Sequence, residues 1–253
     1  MSAYWIVSIA AALVALAPAA AAQSSATQQQ PALGTEPVQP VMDRGIFAHG
    51  ILNENEGRWN GTNTQYRWDG EGWVGTDYDK LWIKSEGTLQ SNGALEDGQQ
   101  QLLYSRAITT YFDLQGGLRS GLDSRPARNW GAFGIQGLAP YFFDVELTGY
   151  ASSEGHLAAK FEAFCDLLIT NRLILQLQIE VDLYSKADPS RLIGAGLSSI
   201  DTGLRLRYEF TRNFAPYIGV VYEGQFGQTV SYARRTGEST GDFRFAFGVR
   251  LWF

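Results

Sequence analysis

The clearest pattern in the chain is its last eleven residues, FRFAFGVRLWF. Phe243, Phe245, Phe247, Val249, Leu251 and Phe253 share one parity, and Arg244, Ala246, Gly248, Arg250 and Trp252 share the other. Period-two alternation of this kind predicts a strand with one apolar and one polar face. Arg172 to Tyr184 repeats it: Leu173, Leu175, Leu177, Ile179, Val181 and Leu183 oppose Arg172, Gln176, Gln178, Glu180, Asp182 and Tyr184. Ile174 is the one apolar residue on the polar side. In 156–167, Leu157, Ala159, Phe161, Ala163, Cys165 and Leu167 oppose Lys160, Glu162 and Asp166. Asp144 and Glu146 oppose Phe143, Val145 and Leu147, and Asp201, Arg205, Arg207 and Glu209 oppose Leu204, Leu206 and Tyr208.

The pattern predicts strands near 46–53, 64–74, 78–88, 99–107, 110–121, 130–138, 140–151, 156–167, 171–184, 199–211, 213–225 and 242–253. Short connections alternate with longer ones at 54–63, 89–98, 122–129, 152–155, 185–198 and 226–241. An even number of strands, alternating turn lengths and an aromatic last residue describe an all-β fold: a transmembrane antiparallel up-and-down β-barrel of about twelve strands, its apolar face in lipid and its polar face in a lumen. A soluble sandwich needs no such alternation. The expected location is the outer membrane of a Gram-negative cell, with both chain ends in the periplasm.

Composition sharpens this picture at three points. Twenty-eight glycines and 33 aromatic residues (Trp 7, Tyr 12, Phe 14) suit twisted strands and aromatic girdles. A net charge of −6 disfavours a nucleic-acid partner. The single cysteine, Cys165, excludes an internal disulfide framework and reads as a small lipid-facing hydrophobe. Ahead of the strands, Trp5 to Ala22 reads as a signal peptide cleaved after Ala22, although no Lys or Arg precedes it. Residues 23–42, rich in Gln, Ser and Pro, read as a disordered periplasmic tail, which leaves 43–253 as one barrel domain.

Several long blocks resemble the copper resistance protein B family of outer-membrane proteins. They include DRGIFAHGILNENEGR at 43–58, WDGEGWVGTDYDKLWIKSEG at 68–87, WGAFGIQGLAPYFFDVELTGY at 130–150 and GAGLSSIDTGLRLRYEFTRNFAPYIGV at 194–220. The resemblance runs from about Asp43 to Phe253. It implies an outer-membrane barrel, copper ions as ligand or cargo, and a periplasmic multicopper oxidase as partner. Many members of that family carry a Met/His-rich segment after the signal peptide. Here that stretch has no histidine, and its one methionine is Met42. Soft thioether and imidazole ligands are what copper selects. Copper binding is therefore expected to be weak and to sit in the barrel rather than the tail.

His49 has two readings: a metal ligand alongside Met42, or a hydrogen-bonding residue of the lumen or girdle. His156 reads as a loop or interface residue, and Asp77 and Asp79 read as turn caps. The stronger candidates are the inward charges Lys84, Glu86, Asp144, Glu146, Lys160, Glu162, Glu180, Asp182, Arg205, Arg207 and Glu209. They form either a cation path or an ion-paired plug, because buried carboxylates must be paired, protonated or metal-bound. His156 beside Ser152 and Ser153 lacks a glycine-flanked nucleophile signature, so no enzyme is expected. Two classes remain: a monomeric copper-resistance barrel that binds or passes copper, and a general porin or structural barrel with a plugged lumen.

Overall fold

The computed structural model describes residues 45–122, 127–236 and 239–253. The expected signal peptide and tail, with Met42, lie outside these residues. Twelve antiparallel strands form a closed barrel in which each strand pairs with its sequence neighbours and β1 pairs with β12. They are β1 (Phe47–Trp59), β2 (Thr64–Gly75), β3 (Asp79–Gln90), β4 (Leu95–Ala107), β5 (Phe112–Gly121), β6 (Asn129–Ala139), β7 (Phe143–Ser152), β8 (Leu157–Leu168), β9 (Leu173–Tyr184), β10 (Gly196–Tyr208), β11 (Phe214–Gln225) and β12 (Gly241–Trp252). Each is long enough to cross a bilayer core at the usual tilt.

The two faces fall as the alternation predicts. On β12, Phe243, Phe245 and Phe247 are 70%, 62% and 55% exposed on the outside, while Arg244 and Ala246 are buried inside. On β9, Leu177, Ile179 and Leu183 face outward and Glu180 is buried. Ile174, the apolar exception, is buried too. Cys165 keeps the outward parity, but its small side chain is covered by its neighbours and buried.

This facing predicts an asymmetric response to charge. Leu177, paired with Cys165 and Leu204, points to lipid. Leu177→Arg should lower stability by about 2–4 kcal/mol, the cost of an arginine near the bilayer midplane. Gln176→Arg, one residue away but facing the lumen, should cost far less. Denaturant unfolding of both variants in lipid checks this, and equal losses would reverse the assigned facing. Gln178 is a poorer comparison, because its Oε1 accepts a bond from Arg205 at 2.5 Å.

Five sequence expectations need correction. The first strand does not stop at 53 but runs to Trp59, and the fourth begins at Leu95 rather than 99. His156 precedes β8 instead of opening it, and Glu209 lies in the turn beyond β10. The connection expected as a plain loop at 226–241 contains a helix, α1 (Gly227–Thr236). The shift in β1 has a local cause. His49, Ile51, Glu54 and Glu56 pair with Trp73, Glu71, Asp69 and Arg67, which share one parity on β2. A bulge at Asn53 therefore moves the inward parity of β1 from odd to even positions.

Candidate functional site

The lumen is divided between grease and charge. On the side of β3 to β7, Trp82, Leu103, Trp130, Ala132 and Tyr150 form an apolar cluster inside the barrel, with Trp73 packed against it. The rest of the wall carries a network of ion pairs centred on three arginines.

Arg58 on β1 donates from Nε to Glu56 at 2.6 Å, from Nη2 to Glu54 at 3.1 Å, and from Nη1 to Asp201 at 2.5 Å and Glu223 at 2.7 Å. Arg205 on β10 donates to Glu56 at 2.9 and 2.8 Å and to Glu54 at 2.8 Å. Arg67 on β2 joins Glu54 to Glu180, at 2.8 Å each. Glu54, Glu56, Arg58 and Arg205 are all no more than 2% exposed. Backbone geometry makes room for them. A Cβ at Gly203 would lie 2.7 Å from Arg205 Nη1, and one at Gly248 would lie 2.7 Å from the Cβ of Glu56.

Two lysines extend the network to the far wall. Lys160 on β8 contacts Glu86 on β3 at 2.5 Å, Glu162 at 2.6 Å and Glu180 at 3.2 Å. Lys84 on β3 contacts Glu146 on β7, and lies 3.1 Å from Gln136 and 3.8 Å from Glu71. The pairs Arg67–Glu180, Lys160–Glu86 and Lys84–Glu146 therefore bridge strands far apart around the barrel. They cross the lumen rather than run along its wall.

Beside these bridges lies a cavity of about 60 Å³, room for about four or five waters. Glu54, Asp69, Glu71, Glu86, Asp144, Glu146 and Glu162 line it, with Lys84 and Lys160 as its cations. Gln99 also lines it, and its buried Oε1 has no hydrogen-bond partner. Glu86, Glu162 and Glu180 bring carboxylate oxygens within 4.8 Å of one another, the one such group of His, Cys, Asp and Glu among the described residues. The ammonium of Lys160 sits between them.

The sequence-predicted charges divide accordingly. Lys84, Glu86, Glu146, Lys160, Glu162, Glu180 and Arg205 meet in the network. Asp182 accepts a bond from Ser199 at 3.0 Å. Arg207 pairs with Asp166 at 2.6 Å and approaches Glu209 at 3.9 Å. His49 sits on the lumen parity of β1, with its ring 6.2 Å from that of Trp73 and outside the carboxylate group. Sequence reasoning missed Glu54, Glu56, Arg58 and Arg67. The block ENEGR at 54–58 holds a period-two set of charges, but Asn55 and Gly57 give it no apolar counterpart to mark the outer face.

A closed twelve-strand barrel, apolar outside and ion-paired within, defines a porin-like membrane barrel. Among solved structures it is similar to the NanC porin, at a TM-score of 0.51 and 11% identity, covering 80% of this chain and 98% of that one. Residues 46–253 match the family of copper resistance protein B precursors, and the chain belongs to that family. It is 41% identical over 213 residues to copper resistance protein B of Escherichia coli, covering 84% of this chain and 72% of that protein. It is 40% identical, with the same coverage, to the copper resistance protein B homolog of Pseudomonas syringae pv. tomato (strain ATCC BAA-871 / DC3000). This membership ties the chain to copper resistance.

Proposed function

We propose that the barrel serves copper resistance without catalysis, as a monomer in the outer membrane that holds copper ions in its lumen or passes them through it. The observation that carries this reading is the acidic cavity, where seven carboxylates face two lysines. Its donors are oxygens, which suit Cu(II) better than Cu(I). Lys160 neutralises the cluster of Glu86, Glu162 and Glu180, so an entering ion must displace an ammonium, and binding there is weak. In this reading residues 23–42 lie in the periplasm. A periplasmic multicopper oxidase would meet the barrel at its short-turn end.

The test is copper tolerance of a deletion strain together with calorimetric titration of Cu(II) into purified protein. Removing residues 23–41 should leave both nearly intact, because that segment has no His, Cys or Met. His49→Ala with Met42→Leu should weaken both, and Glu86→Gln with Glu162→Gln should weaken both more. Loss of binding on tail removal, with full binding in the carboxylate variant, would overturn the proposal.

A second reading draws on the Arg58–Arg205–Arg67 bridges: a structural barrel whose lumen is an ion-paired plug. Bilayer conductance separates the two. A plug passes no measurable current in the intact protein and gives no copper rescue.

A further inference from the structure

The end of the lumen that carries the longer connections holds a second cavity, of about 40 Å³, whose charge is opposite in sign to the acidic chamber. Arg119 on β5, Arg128 just before β6, and Lys186 and Arg191 in the β9–β10 connection line it. The carboxylates there are Asp97 and Asp188. Arg128 reaches Asp188 at 2.9 Å and Glu154 at 2.8 Å, and Arg191 approaches Asp188 at 3.7 Å. These pairs engage Asp188 and Glu154, while Asp97 takes part in none of them.

Arg119 and Lys186 are different. Neither has a carboxylate within 4 Å among the described residues. The Arg119 guanidinium lies 4.5 Å from the centre of the Tyr150 ring, and its Nε is buried with no acceptor. A buried N–H without an acceptor carries a desolvation cost that a ligand oxygen would relieve. The cavity has room for about three or four waters, roughly the space of a tetrahedral oxyanion. Guanidinium forks match such oxygens in pairs, and an ammonium adds a point charge.

We infer that this vestibule binds a small free oxyanion, of the size and charge of phosphate, between Arg119 and Lys186. The site is independent of copper in the acidic chamber and of any role for the tail.

The full chain, purified in lipid-free detergent, is titrated with inorganic phosphate at constant ionic strength. Saturable one-site binding is expected. Arg119→Gln should weaken it at least about tenfold, the size of a lost charge-assisted hydrogen bond, and Arg119→Lys should restore part of it. Lys186→Gln, at an exposed position, should weaken it as well and keeps the test decisive if Arg119→Gln does not fold. Arg106→Gln, at the opposite end of the barrel, serves as the control. No saturable binding, equal affinity in Lys186→Gln and the parent, or binding only after lipopolysaccharide is added would overturn the inference.

Discussion

Replacing Arg58 by leucine is expected to lower the stability of the barrel by about 3–5 kcal/mol, the range for removing one partner of a buried ion pair. The side chain is 1% exposed and contacts Glu54, Glu56, Asp201 and Glu223. Arg205 and Arg67 still neutralise part of Glu54 and Glu56 in the variant. Among the described residues Asp201 keeps no other ion pair, and Glu223 keeps only that with Arg244, at 2.8 Å. The excess negative charge then has to recruit water or protons. Arg106→Leu is the comparison, because its pair with Asp79 is long, at 3.9 Å, and both side chains are well exposed. It should be nearly silent. Denaturant unfolding in detergent measures both, and a loss under about 1 kcal/mol for Arg58→Leu, typical of exposed pairs, would mean that the lumen is wetter than its geometry. The same variant should raise bilayer conductance, since it removes ion pairs that cross the lumen.

The second large effect is expected at the seam. Deleting Trp252 and Phe253 should reduce folded barrel in the outer membrane by on the order of tenfold, with synthesis little changed. Phe253 N donates to Gly50 O at 2.8 Å and Gly50 N to Phe253 O at 3.3 Å, while Trp252 pairs with Ile51. Asn213 Nδ2 also donates to Trp252 O at 2.6 Å. Without these residues the start of β1 presents bare amides at the closing edge. The unboiled, compact band on gels reports closure. A truncated protein with a wild-type compact band would place the closing contacts elsewhere.

The fold was legible wherever one face of a strand was plainly apolar. β9 and β12 were read correctly down to the parity of each side chain, because Leu, Ile and Phe alternate there with Gln, Glu and Arg. The barrel's closure followed from an even strand count and alternating turns. The site was legible only by halves. Lys84, Glu86, Glu146, Lys160, Glu162 and Glu180 stand opposite apolar neighbours and were found. Glu54, Glu56 and Arg58 were lost to an expected loop, because the bulge breaks the period and Asn55 and Gly57 carry no hydrophobic signal. A length argument could have recovered them. A thirteen-residue β1 is needed to cover β2 and to reach the aromatic contact of Trp59 with Phe245. The helix α1 was unreadable for another reason: GQTVSYARRT carries no N-terminal Ser, Thr, Asp or Asn cap before it and little apolar content.

The bulge at Asn53 also sets how this chain tolerates gained and lost residues. Deleting Asn53 alone would restore an unbroken alternation along β1, and either half of the strand would then have to turn inside out. If the half before the bulge holds its place, Glu54, Glu56 and Arg58 swing toward lipid. If the half after it holds, His49 and Ile51 exchange sides with Ala48 and Gly50. Losing one codon here should therefore be more damaging than losing several from the connection at 60–63, where the backbone has no face to keep.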